Sequence, residues 1–225
     1  NFSWDTPTIL PNYPDVATQA RALRAANTRA NLENELFGMY MDDNFIAKAE
    51  AWKQRHGGKK AGYREMIPGD DFDLGEDGSA LYYADWDVVG IMFRDWKPAQ
   101  SHNISIQGTS GKTSYFLSVG YNHEEGVMTF NPDKLNKYNA NMNVTSDITN
   151  WLQIGGRFSY SDKAYTTPNT RRNTYTYMWR WGSFFGPYGT YQGIDMKNDI
   201  AYLKQAGDDK TNDSYTRIGA FLKAT

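Results

Sequence analysis

The chain has 225 residues, with 24 basic and 26 acidic side chains for a net charge of −2, no cysteine, and 15% aromatic residues that include 16 Tyr and 7 Trp. This balance gives no electrostatic case for nucleic acid, and the absence of Cys excludes a disulfide scaffold and a thiolate zinc site. No run approaches the roughly 20 apolar residues of a transmembrane helix, which leaves strands that alternate in polarity untouched as a way of crossing a membrane.

In chain order, a short strand is predicted near 1–4, followed by Pro7, Pro11 and Pro14, which set an extended turn. From Asp15 to about His56 the apolar residues recur at three and four: Val16, Ala20 and Leu23, then Leu32, Leu36, Phe37 and Met41, then Phe45, Ala49 and Trp52. That spacing predicts two or three amphipathic helices, stopped by Gly57-Gly58. Pro68 to Gly78 carries Asp70, Asp71, Asp73, Glu76 and Asp77. Carboxylates this dense suit Ca²⁺, but Gly75 stands where an EF-hand places a ligand and no Glu closes the loop, so a solvated acidic loop is the expectation. Trp86, Phe93 and Trp96 are expected to anchor the base of this long connection at an interface between apolar and aqueous surroundings.

A meander follows, with strands predicted near 102–109, 114–123, 137–146 and 151–162. Tyr115, Leu117, Val119 and Tyr121 alternate with Phe116, Ser118, Gly120 and Asn122; Tyr138, Ala140, Met142 and Val144 alternate with Asn139, Asn141, Asn143 and Thr145. Leu152, Ile154, Phe158 and Tyr160 alternate in the same way with Gln153, Arg157, Ser159 and Ser161, which puts one apolar and one polar face on each strand. Gly111-Lys112-Thr113 mimics the end of a phosphate loop, but Ile106 stands where the first Gly belongs and a strand follows instead of a helix, so the glycines shape a hairpin turn. Between Lys163 and Ser214, Tyr175, Tyr177, Trp179, Trp181, Phe184, Phe185, Tyr188 and Tyr191 sit among Arg171, Arg172 and Arg180. Aromatic faces beside arginines suit a glycan, with Trp179, Trp181, Tyr188 and Arg180 as candidate substrate contacts, and suit a small hydrophobic core equally. Asp209, Thr211 and Asp213 have a weak cation-site pattern whose default is a solvated turn. A last strand, near 215–225, alternates Ile218, Ala220, Leu222 and Ala224 with Arg217, Gly219, Phe221 and Lys223.

The connections are as informative as the strands. Ser110 to Thr113 and Asp147 to Asn150 are tight turns, whereas Asp5 to Ala99, Glu124 to Lys137 and Lys163 to Ser214 are long. Tracing strands up and down puts both tight turns at one end and all long connections at the other, the asymmetry of transmembrane β-barrels. Tyr115 and Tyr121 stand about 20 Å apart along their strand, and with Tyr138 and Tyr160 they are candidate membrane-interface aromatics flanking an apolar band of about 25 Å. A soluble sheet with one buried face produces the same alternation, so pattern alone leaves barrel and sandwich both open.

The run Asp85-Trp86, Asp95-Trp96-Lys97-Pro98, Gln100-Ser101-His102-Asn103-Ile104-Ser105-Ile106, Gly108, Ser110, Lys112-Thr113-Ser114-Tyr115-Phe116-Leu117-Ser118-Val119-Gly120-Tyr121 and Glu125-Gly126 closely resembles the start of the barrel in SusC/RagA family TonB-dependent transporters. So do Tyr138-Asn139-Ala140-Asn141 and Thr149-Asn150-Trp151-Leu152-Gln153-Ile154-Gly155, while Trp4-Asp5-Thr6-Pro7 looks like the end of the family's first barrel strand. The resemblance is dense over 85–162 and faint elsewhere. It implies an all-β fold, part of a large antiparallel transmembrane barrel of about 22 strands with helical segments in long extracellular loops 5–101 and 163–214. The visible strands are too few to close that barrel, so the chain is expected to be its N-terminal section, without the plug domain and TonB-binding segment.

The resemblance further implies import of oligomeric nutrients across the bacterial outer membrane, driven by the proton-motive force through TonB, with a SusD-like lipoprotein lid as partner and pairs of transporters as the assembly. The aromatic loop favours oligosaccharides; peptide import by the same mechanism and a non-transporting glycan-binding sandwich are the alternatives. Asn139, Asn141, Asn143, Gln153 and Arg157 are expected to line the lumen or meet the plug. The segment 15–56 is a candidate docking surface for the lid. His56, His102 and His123 lack metal spacing and no nucleophile, base and acid set is visible, so neither an enzyme nor a cofactor is expected.

Overall fold

The computed structural model describes residues 14–36, 39–76, 80–172, 174 and 187–224. They fall into two units, one built from the chain up to Arg94 together with Thr170–Ala206, the other from Asp95–Asn169 with Gly207–Thr225. The predicted strand near 1–4 lies outside the described residues.

In the first unit, helix α1 spans Val16–Arg29 and helix α2 spans Asp43–Arg55. Asp15 caps α1 by accepting from the Thr18 N–H at 3.0 Å, and Asp42 caps α2 by accepting from the Phe45 N–H at 2.7 Å, each satisfying a donor that the helix cannot. Helix α2 ends as its glycines predict: Gly57 takes φ +61°, its N–H donates to the Gln54 carbonyl and that of Gly58 to the Lys53 carbonyl. Helix α1 ends in the same Schellman geometry with Asn31 at φ 55° in the glycine's place, the Leu32 N–H donating to the Asn27 carbonyl. The helical spacing at Leu32 therefore does not continue α1; Leu32 is in a turn and exposed.

Between and after the helices lie short pairs, β1 Glu35–Leu36 with β2 Met39–Tyr40, and β3 Phe72–Leu74 with β4 Ala80–Tyr82, then the single-turn helix α3 Val88–Met92. The segment 187–206 adds a small hairpin, β9 Thr190–Tyr191 with β10 Ile194–Asp195, and helix α4 Asn198–Gln205. It is stitched to the earlier segment through backbone bonds, Met66 N–H to the Thr190 carbonyl at 2.7 Å and Thr190 N–H to the Arg64 carbonyl at 2.9 Å. A common core of Phe45, Trp52, Phe72, Trp86, Tyr188, Ile200 and Leu203 is fully enclosed. The expectation that Trp86 anchors at an interface is thus corrected: only 1% of it is exposed, and its ring is covered by Arg64 at 5.4 Å and closely approached by Gly189.

The second unit is one antiparallel sheet in the order β11-β8-β7-β6-β5. Its strands are β5 Ala99–Ser110, β6 Thr113–Glu125, β7 Lys134–Asp147, β8 Leu152–Pro168 and β11 Asp208–Ala224. The fold is therefore mostly β and antiparallel, and this sheet is open, with β5 and β11 at its edges. The meander and its two tight turns stand as predicted, Gly111 taking φ +58° between the paired Ser110 and Thr113. The strands are longer than predicted. Lys163 to Pro168 pairs with Asp208 to Asp213, so Asp209, Thr211 and Asp213 are strand residues rather than a turn. Backbone hydrogen bonding extends a ladder through polar residues that apolar alternation cannot register.

Candidate functional site

Residues paired across neighbouring strands share a face, so the register writes out both surfaces of the sheet. One face is apolar across all five strands. Successive cross-strand rows run Ile104, Val119, Ala140, Tyr160, Thr216; then Ile106, Leu117, Met142, Phe158, Ile218; then Gly108, Tyr115, Val144, Gly156, Ala220; and finally Ser110, Thr113, Ser146, Ile154, Leu222. Many of these side chains are exposed: Ile218 to 79%, Ile104 to 72% and Leu222 to 70%, with Leu117, Val119 and Met142 exposed as well.

The apolar belt is centred between Ile104 and Ile106 on β5, between Val119 and Leu117 on β6 and between Ala140 and Met142 on β7, all in the same two rows. On β8 and β11 it reaches further towards the tight turns, through Ile154 and Leu222.

The predicted aromatics all lie on the apolar face. Tyr121 and Tyr138 are directly opposed with ring centroids 5.0 Å apart, Tyr160 is one row further in, and Tyr115 lies towards the tight turns with its ring over Gly108. Beyond Tyr121 the same face turns polar: His102 and His123 stack on Tyr121 at 6.4 and 6.5 Å, and the Tyr121 hydroxyl donates to Asn136 at 3.2 Å. Near the tight turns, Val144, Ile154, Gly156, Ala220, Phe221 and Leu222 line an open concavity of about 490 Å³. Ser146 is the one polar side chain on its walls.

The opposite face brings together Asn139, Asn141, Asn143, Gln153 and Arg157, the residues expected in the lumen. Ser159 donates to the Asn141 amide oxygen at 2.9 Å, and the side chains of Asn103 and Asn139 close over Gly120, where any side chain would collide with them. The Phe221 ring lies over Gly155 and carries the Arg157 guanidinium at 5.6 Å. Arg217 joins them from the polar alternation of the last strand, whereas sequence reasoning missed Lys137 and Lys163 on this face. Lys137 and Lys163 fell within or at the edges of predicted loops, and only the register shows them side by side.

Of the candidate substrate contacts, Trp179, Arg180 and Trp181 lie outside the described residues. Tyr188 is enclosed in the core of the first unit at 1% exposure, its ring under the Lys197 ammonium at 5.1 Å, and so offers no surface for stacking in this conformation. Burial there pushes the Lys197 ammonium below its usual pKa and the Asp199 carboxyl above it, despite their separation of 3.6 Å.

At Asp70, Asp71 and Asp73 the acidic segment is not a solvated loop, whereas Glu76 is exposed and Asp77 lies outside the described residues. Asp71 is fully buried, accepting from the Trp52 indole at 2.9 Å, from both Arg64 terminal nitrogens at 2.5 and 2.7 Å, and from the Ile67 N–H at 2.8 Å. Burial pushes its carboxyl up, but the Arg64, Ile67 and Trp52 donors outweigh that and hold it below the usual carboxylate range. Asp70 pairs with Arg55 at 2.8 Å and His56 at 3.0 Å, and Asp73 with Lys48. Ligand atoms of His56, Asp70 and Asp71 lie within 4.8 Å of one another, the only such group among the described residues, yet Arg55 and Arg64 already occupy the charge that a cation would take. No family model, curated protein or solved structure matches the chain.

Proposed function

We propose that this chain supplies barrel strands to a TonB-dependent transporter of the bacterial outer membrane, which imports oligosaccharides together with a SusD-like lipoprotein lid. The observation that carries this reading is the exposed apolar face shared by all five strands and backed by a polar one, the alternation of strands that cross a lipid layer. The short turns at one end, the long connections at the other, and the resemblance over 85–162 support the same conclusion. In the barrel, the apolar face meets lipid, the polar face meets the lumen, and the open edges at β5 and β11 pair with further strands, since an exposed sheet edge cannot stand in hydrocarbon. The oligosaccharide binds from outside, the lid closes over it, and TonB acting on the plug releases it inward. The unit holding α1 and α2 is offered to the lid, and the transporters work in pairs. No cofactor is required.

Extraction of the native protein in detergent, with intact mass and identification of copurifying chains, tests this reading. A membrane-bound chain several times larger than 25.7 kDa travelling with a lipoprotein is expected. A water-soluble 25.7 kDa monomer would overturn the reading and favour a glycan-binding sandwich. Binding of peptides but no oligosaccharides to the extracted complex would keep import and replace its substrate.

A further inference from the structure

The polar face of the sheet carries a row of four cations with a single carboxylate directly opposite, and we infer that it is an anion-binding track for an oligosaccharide bearing acid groups; this rests on the import reading above. Lys137 and Lys163 are directly opposed on β7 and β8, side by side on the polar face. Like charges in that relation destabilise a sheet, and the only carboxylate the fold places across from them is Asp213, opposite Lys163 at the β11 edge. Towards the tight turns come Arg217, opposite Ser159, and Arg157, opposite Asn143 and Gly219, so that the two arginines are diagonal neighbours.

Neither guanidinium forms an ion pair among the described residues. Arg157 lies 5.6 Å from the centre of the Phe221 ring and Arg217 lies 5.8 Å from that of Tyr215. A guanidinium resting on an aromatic ring is held in place while its N–H edge stays open for a carboxylate or sulfate. Of the other acids on this face, Asp147 accepts from Gln153 at 2.8 Å, Glu124 pairs with Lys97 at 3.1 Å, and Asp209 lies four residues beyond Asp213, opposite Thr167 and away from the arginines.

The surroundings decide between a sugar and other anions. From Lys163 to Arg157 the cations extend for about 20 Å along the strand, the scale of an oligomer rather than of a single ion. Beside them lie Asn141, Ser118 and Ser159, uncharged donors and acceptors joined in one hydrogen-bonded line and suited to sugar hydroxyls. Tyr215, 54% exposed on the same face, offers a ring to the C–H side of a pyranose. Fixed cations along a lumen wall select for anions in the way that rings of Arg and Lys do in anion pores.

The test is titration calorimetry on the full-length protein in detergent, using an oligogalacturonide, a neutral oligosaccharide of the same length and a polyglutamate peptide. The oligogalacturonide is expected to bind best, to weaken with ionic strength, and to lose about tenfold or more in affinity in the Arg157→Gln/Arg217→Gln variant. The Arg157→Lys/Arg217→Lys variant retains most of that affinity, and neutral sugar binding is the same in all three proteins. Equal binding of neutral and acidic sugars, unaffected by the glutamine variant, would overturn the inference and leave import of oligosaccharides standing. Polyglutamate binding with the same arginine dependence, in place of the oligogalacturonide, would overturn the sugar assignment. Failure of both oligosaccharides to bind would overturn this inference and the import reading together.

Discussion

Val119 and Thr216 lie in one cross-strand row and on one face, but at different places in the apolar belt. In the proposed barrel Val119, one residue or about 3 Å of strand from the belt's centre on β6, is near the midplane. Thr216 lies outside the apolar run of β11, which begins at Ile218, and so at the edge of the belt. An arginine on the lipid face costs about 2–4 kcal/mol at the midplane and about 0–1 kcal/mol at the interface. On the proposed reading Val119→Arg should therefore destabilise the lipid-embedded protein by about 2–4 kcal/mol and Thr216→Arg by less than about 1 kcal/mol. Reversible denaturant unfolding of the transporter in liposomes reads both numbers. Equal costs for the two variants would refute this edge of the belt, and no cost for either would refute a lipid-facing belt.

Three further outcomes concern the first unit. Asp71→Ala removes the acceptor for Trp52, Arg64 and Ile67 in a buried site and should cost about 3–5 kcal/mol, because a partly buried guanidinium is left without its partner; a loss below about 1 kcal/mol in chemical unfolding followed by tryptophan fluorescence would contradict this. The folded Asp71 carboxyl titrates below its unfolded value, so its contribution is fully present above about pH 4 and disappears as pH falls through the lowered value. Stability measured between about pH 5 and about pH 3 should decline less steeply in Asp71→Asn than in the parent, and parallel slopes would contradict the assignment. Gly189→Ala would set a methyl group 2.6 Å from the Arg64 carbonyl oxygen and 2.6 Å from the Trp86 ring, where the segments 61–66 and 187–196 are laced together. A loss of about 1–3 kcal/mol and faster proteolysis of both segments are expected, and wild-type resistance would show that the seam has room.

Much of the sheet was legible in the residues themselves. Alternation from Tyr115 to Tyr121 and from Tyr138 to Val144 assigns each side chain to a face, and Gly111-Lys112 marks a turn, because these signals act over two to four residues. The body and end of helix α2 were equally legible, from Phe45, Ala49 and Trp52 to Gly57, while its cap at Asp42 emerged only in the structure. What failed were inferences that depended on partners distant in sequence. Asp71 looks solvated beside its acidic neighbours, but Arg64 and Trp52 arrive from other segments to bury it. Tyr188 suits a sugar contact and a small core equally and Trp86 looks like an interface anchor, but two separate long segments share one core and enclose both.

Local chemistry, then, determined the antiparallel meander, its apolar and polar faces, the side on which Asn139, Asn141, Asn143 and Arg157 stand, and the resemblance to a transporter barrel. The tertiary structure decided the register, since pairing partners are set by backbone bonds along the whole ladder and not by any one strand's pattern. From that register come the apolar rows shared by all five strands and the row of opposed and diagonal cations at Lys137, Lys163, Arg217 and Arg157. Neither is a property of a single strand, because each exists only in the pairing of one strand with the next.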